Sequence, residues 1–211
     1  MIDNLVRQHL RGFKPYTSAR SEVQQATILL DANELTLGSP VRIDGISLNR
    51  YPDPYQNELR NLLAKRTGVS LDQVFVGAGS DEIIDLLIRL FCEPSKDSIA
   101  IAEPTYGVYR VAANVSGVES IAIGLDDEFQ LDVQKVLESL KPATKIIFLC
   151  SPNNPTGNLL NRESIISICK ATQAIVVVDQ AYIEFAESSG DITDEINRYN
   201  NLVILRTLSK G

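Results

Sequence analysis

The sequence has 211 residues, 44% of them hydrophobic, which is enough for one large domain with a buried core. Its 20 Lys and Arg against 27 Asp and Glu leave a net charge of -7, arguing against nucleic acid or an anionic membrane surface as the main partner. No apolar run approaches the ~20 residues that span a bilayer, and "MIDNLVRQHLRGFKPY" is too often polar for a signal-peptide core, so a cytoplasmic location is expected.

In chain order, helix-like and strand-like segments alternate. Residues 54–67 open with Pro54, carry Leu59, Leu62 and Leu63 on one face and stop at Gly68, which predicts a helix. "VFVGAG" reads as a short strand running into glycines, and Ser80 as the N-cap of the helix "DEIIDLLIRLFC", whose Ile83, Leu87, Leu90 and Phe91 form a stripe at helical spacing. Then follow the strand "SIAIAE", the helix "PTYGVYRVAANVS", the strand "VESIAIG", the helix "LDVQKVLESL", the strand "KIIFLC" and the loop "SPNNPTG". The helix "RESIISICKATQ", the strand "AIVVVD", a short helix near 191–199 and the strand "LVILRT" complete the pattern. Short strands that are apolar throughout, separated by helices, predict an α/β fold: a mainly parallel sheet covered by helices on both faces. Cys92, Cys150 and Cys169 are far apart and form no CxxC pair, so they read as reduced core residues and no metal site is expected. His9 is the single histidine and sits near the N-terminus, which leaves no imidazole for a Ser-His-Asp or Cys-His arrangement.

Ligands of parallel sheets collect beyond the carboxyl ends of the strands. "GAGSDE", "AEPTYG", "CSPNNPTG", "DQAY" and "TLSKG" each follow a predicted strand, which gathers five polar loops on one rim. Asp179 ends an apolar strand; alone it reads as a turn residue, but a carboxylate on a low-dielectric floor calls for a cation. "NNPTG" alone is turn chemistry, and Lys210 alone is a solvated charge. Together, a strand-end lysine, a strand-end aspartate, Tyr182 three residues later and Asn154 meet the needs of pyridoxal 5'-phosphate. Lys210 would condense with the aldehyde, and Asp179 would keep the ring nitrogen protonated. Asn154 and Tyr182 would bond the phenolic oxygen. Gly79, Ser80 and Asp81 would hold the phosphate at a helix N-terminus. Tyr106 could stack on the ring or be a partly buried core tyrosine.

"CSPNNPTG", "VVDQAYIEF", "EPTYGVY" and "LRTLSK" resemble the aspartate-aminotransferase superfamily (fold type I) of pyridoxal-phosphate enzymes. With "KPYTSAR", "LDANE", "NRYPDPYQNELRNLLA" and "GAGSDEIIDLLIRLFC", almost the whole chain is similar, in order, to the histidinol-phosphate aminotransferase branch. The resemblance implies a large cofactor-binding domain over residues 31–211, incomplete at its end, preceded by an arm over 1–30 that faces substrate. It implies transamination between glutamate and imidazole-acetol phosphate in histidine biosynthesis, with Lys210, Asp179 and Tyr182 catalytic. It adds Ser209 to the phosphate ligands, lends Tyr51 to the partner subunit's phosphate in a homodimer and sets Tyr16 against substrate. In this family the chain continues past the lysine with a further phosphate-binding arginine and a small C-terminal domain, so the sequence reads as an N-terminal portion without turnover of its own. Gln180 departs from the acidic residue usual there, and Gly211 from the usual continuation. Two rivals share these loops: another fold-type-I enzyme, such as an aromatic aminotransferase or a threonine-phosphate decarboxylase, and a non-catalytic dimerisation piece.

Overall fold

Five apolar runs pair edge to edge in the computed structural model, which describes residues 5–13, 33, 51–186 and 190–210. They are β1 (Ser98–Glu103), β2 (Glu119–Gly124), β3 (Thr144–Cys150), β4 (Ile175–Asp179) and β5 (Leu202–Leu205). Their order across the sheet is β2-β1-β3-β4-β5, and every pair is parallel. Five helices connect and flank them: α1 (Asn57–Thr67), α2 (Ser80–Phe91), α3 (Val108–Ser116), α4 (Val133–Ser139) and α5 (Arg162–Ala171).

Strand side chains alternate between faces, so each central strand feeds two cores. Ile99, Ile101, Ile146, Phe148 and Val177 pack with Ile84 and Ile88 of α2 and with Tyr109, Ala112 and Ala113 of α3. Ala100, Ala102, Ile147, Leu149, Val176 and Val178 pack on the opposite face with Val136 of α4 and Ile165 and Ile168 of α5. Burial on both faces is why these strands are continuously apolar. The same alternation aims Cys150 and Asp179, two residues beyond Phe148 and Val177, toward α2 and α3. The ladder sets those two residues side by side at the ends of β3 and β4.

Several boundaries differ from the sequence reading, among them the helix read from Pro104, which starts at Val108. Val74–Gly79 is extended but joins no ladder among the described residues. A groove lined by Leu59, Leu63, Val74, Phe75 and Ile204 separates it from the outer edge of β5, and Arg60 donates to the carbonyls of Leu71 and Val74, each at 2.8 Å. The cap of α2 is Gly79 and Ser80 is its first helical residue; the Glu82 carboxylate folds back to accept from the Ala78 N–H. The helix expected from Pro54 starts at Asn57, because the Asp53 carboxylate accepts from the N–H groups of Tyr55 and Asn57, both at 3.0 Å, and forms a turn first. Near 191–199 only the 3-10 turn Thr193–Glu195 forms, where buried Glu195 is held by Arg162 at 2.6 Å and Arg198 at 3.2 Å. Tyr16 and the boundary expected at residue 30 lie outside the described residues.

Candidate active site

The carboxyl ends of the strands open onto one cavity. Its lining includes Gly79, Ser80 and Asp81 from the start of α2 and Tyr106 from the turn before α3. Cys150 and Asn154 line it from the end of β3, Asp179 and Tyr182 from the end of β4, and Thr207, Ser209 and Lys210 from beyond β5. All five loops expected on one rim therefore contribute. Asp179 and Lys210, from different strands, face the same space. Tyr51 does not: it is fully exposed and is not part of this lining.

Asp179 forms the floor, only 2% exposed. Its Oδ2 accepts from the Tyr109 hydroxyl at 2.6 Å and its Oδ1 from the Ala181 N–H at 3.0 Å. Both donors are neutral, and among the described residues no salt bridge reaches the carboxylate. Burial therefore raises its pKa above the ordinary 3.8, the two hydrogen bonds opposing the rise and nearby Asp81 adding to it. Such a carboxylate, aimed into a cavity, is a receptor for a cationic hydrogen-bond donor.

At the opposite wall, Gly79 has φ +85° and ψ 173°, a conformation that glycine alone adopts readily. A Cβ there would point within 3.8 Å of the Ser209 hydroxyl, so the cradle between the two is kept open by a missing methyl group. Ser209 is itself held by Thr207, whose hydroxyl donates to Ser209 Oγ at 2.9 Å and accepts from the Ser209 N–H at 3.1 Å. The first turn of α2 and the Ser80 and Ser209 side chains line this part of the cavity, a donor set suited to phosphate. Lys210 Nζ lies 5.8 Å from the centroid of the Tyr182 ring. Tyr106 is half-buried, packs edge-on against Tyr109 at 5.7 Å and donates to the Asp81 carboxylate at 3.1 Å.

The family model for aminotransferase class I and II matches residues 18–211. The chain belongs to this family. The motif resemblance drawn from the strand-end loops is therefore correct at family level. Over its full length the chain is 46% identical to histidinol-phosphate aminotransferase of Flavobacterium johnsoniae and 48% identical to that of Parabacteroides distasonis, spanning 59% of each. Among solved structures, the histidinol-phosphate aminotransferase of Clostridium acetobutylicum is 29% identical with a TM-score of 0.68, over 77% of this chain and 48% of that one. An L-threonine-O-3-phosphate decarboxylase from Porphyromonas gingivalis is 25% identical with a TM-score of 0.65, over 77% of this chain and 50% of that one.

Three residues at or behind the cavity escaped the sequence reading. Tyr109 lies in the segment read as a helix and was not singled out, since its hydroxyl partner lies 70 residues away. Asn153 resembled ordinary turn chemistry, yet it is buried and staples the loop: it accepts from the Thr105 hydroxyl at 2.7 Å and donates to Pro104 O at 2.9 Å. That anchoring leaves its neighbour Asn154 facing the cavity. Cys150 was read correctly as a reduced core residue, but it also lines the site, its thiol pushed up to about 11 by burial and by Asp179. Buried Gln180 is not part of the lining; its amide donates to Gly190 O at 2.8 Å.

Proposed function

We propose that the protein carrying this chain is a pyridoxal-phosphate-dependent transaminase that exchanges an amino group between glutamate and imidazole-acetol phosphate. We propose further that it works as a cytoplasmic homodimer. The observation that carries the cofactor assignment is Asp179, a buried carboxylate with neutral donors only, facing a cavity that a lysine amine and a phosphate-type cradle also line. The shared name of the relatives, at 41% to 48% identity, supports the substrate assignment.

When bound, the cofactor supplies an aldehyde for the amino group and a protonated ring that accepts an electron pair. Asp179 would hold the proton on the ring nitrogen, compensating its own buried charge. Asn154 and Tyr182 would direct hydrogen bonds at the phenolic oxygen, and Tyr106 would cover a ring face. The amides of Gly79, Ser80 and Asp81, with the Ser80 and Ser209 hydroxyls, hold the phosphate at the positive end of α2. Lys210 Nζ carries the proton to and from the substrate α-carbon. Tyr16 in the preceding arm meets substrate, and Tyr51 serves the partner subunit.

Incubation with pyridoxal phosphate and then borohydride should add one cofactor mass to the peptide containing Lys210, and no adduct should form in Lys210→Ala. An adduct on a different lysine in the wild type would refute the lysine assignment. Product analysis with histidinol phosphate, phenylalanine and phosphothreonine as competing amino donors should give turnover with the first at more than tenfold the rate of the others. Preference for phosphothreonine with release of carbon dioxide would favour the decarboxylase reading instead.

A further inference from the structure

Asp179 is gripped from behind by a residue that never reaches the cavity. Tyr109 is fully buried on α3. Its ring is stacked on Phe148, with centroids 4.7 Å apart and planes 11° from parallel, and its edge abuts Tyr106. The packed ring places its hydroxyl beside the Cys150 thiol and 2.6 Å from Asp179 Oδ2, to which it donates. The Ala181 N–H fixes the other oxygen. A carboxylate held at both oxygens cannot turn about its terminal torsion, so the lone pairs left over keep a fixed direction toward the cavity.

The donor's proton is secure. Burial, reinforced by the neighbouring Asp179 charge, drives the Tyr109 phenol far above its ordinary value of 10.0. Tyr109 is therefore a neutral donor across the physiological range. The other ionisable groups facing the carboxylate are Asp81 on α2 and Cys150 on β3, with Tyr106, Tyr182 and Lys210 around the cavity. Of these, Asp81 and Cys150 offer Asp179 no cation. With no salt bridge reaching it among the described residues, the carboxylate depends on its neutral donors, and Tyr109 supplies the shorter of the two bonds.

We propose that Tyr109 is a positioning residue for Asp179, its hydroxyl fixing the direction of the carboxylate and holding it as an anion ready for a protonated pyridine nitrogen. This rests on the cofactor reading above, but the first half of it concerns the protein alone. Tyr109→Phe removes one oxygen and preserves the ring that stacks on Phe148. In cofactor-free protein, the Asp179 carboxyl titration, followed by carbon-13 NMR and assigned by its loss in Asp179→Asn, should move to higher pH in Tyr109→Phe. Replacing Tyr109 with 3-fluorotyrosine, a stronger donor in the same shape, should move it to lower pH. Equilibrium titration with pyridoxal phosphate should show about tenfold weaker binding in Tyr109→Phe.

A residue that merely fills space would change the melting temperature in Tyr109→Phe and leave the Asp179 titration where it was; that result would overturn the proposal. Should Tyr109→Phe fail to fold, a shift of the Asp179 titration to lower pH in the fluorotyrosine protein supports the proposal, and no shift overturns it. Shifts of the expected sign in a wild-type protein that does not bind pyridoxal phosphate would retain the Tyr109–Asp179 coupling and remove the cofactor from it.

Discussion

Asp179 shows a cost accepted at a single residue. Its carboxyl is raised above the ordinary 3.8 by burial, so the folded chain binds that proton more tightly than the unfolded chain does. The resulting stabilisation is complete below the unfolded value and is lost as pH rises through the folded value. At neutral pH the ionised group therefore destabilises the cofactor-free fold. Asp179→Asn should raise the melting temperature of the cofactor-free protein at pH 7 by on the order of a few degrees, and the gain should disappear below about pH 4. The same substitution should abolish tight cofactor binding, since an amide cannot compensate a ring cation. Thermal unfolding from pH 3 to pH 8 checks the sign: a variant less stable at pH 7 than at pH 4, relative to wild type, contradicts it. Asp179 was legible because a carboxylate that closes a run of apolar residues announces its burial. Tyr109 was not, because an aromatic residue on a helix face looks the same whether its hydroxyl is bonded or idle.

At the scale of elements, the paired strands were legible and the starts of α1, α2 and α3 were not, while α5 starts at Arg162 as read. Runs buried on both faces leave a continuous apolar signature, which is why β1, β3, β4 and β5 match the segments expected. Starts depend on local polar contacts: the Asp53 carboxylate takes the Asn57 N–H, so α1 begins after a turn, and the Glu82 carboxylate takes the Ala78 N–H ahead of α2, whose cap Gly79 offers no side chain. The strand expected at Val74–Gly79 had the right residues, but pairing is a property of two segments and only one was being read. Two substitutions separate structural caps from the phosphate cradle. Asn161 caps α5 by accepting from the Ser164 N–H at 3.1 Å, so Asn161→Ala should cost about 1 kcal/mol without altering cofactor affinity. Gly79→Ala forces a side chain into a backbone region reserved for glycine, which should cost about 1–3 kcal/mol and also weaken cofactor binding, because its methyl group enters the cradle beside Ser209. Urea unfolding and cofactor titration of both variants should show one effect for Asn161→Ala and two for Gly79→Ala.

For the whole molecule, alternation of short strands and helices made the parallel sheet and its functional rim legible, whereas nothing periodic in the sequence encodes subunit contacts. Tyr51 carries the question. It is fully exposed on its own chain and does not line the cavity that holds Lys210. If each site of a homodimer takes Lys210 from one subunit and Tyr51 from the other, defects at these two positions should complement. Lys210→Ala dimers should form no borohydride adduct, and Tyr51→Phe dimers should need about tenfold more pyridoxal phosphate to form one. Random reassociation of the two variants in equal amounts places half of the dimers in the hybrid class, and each hybrid contains one intact site. Roughly a quarter of all sites should then regain wild-type affinity. If Tyr51 instead completed the site of its own chain, every site in a hybrid would lack one of the two residues. The mixture would then show no recovery at low cofactor concentration. A monomer by light scattering, or a titration of the mixture that merely averages its two components, would remove the shared-site arrangement.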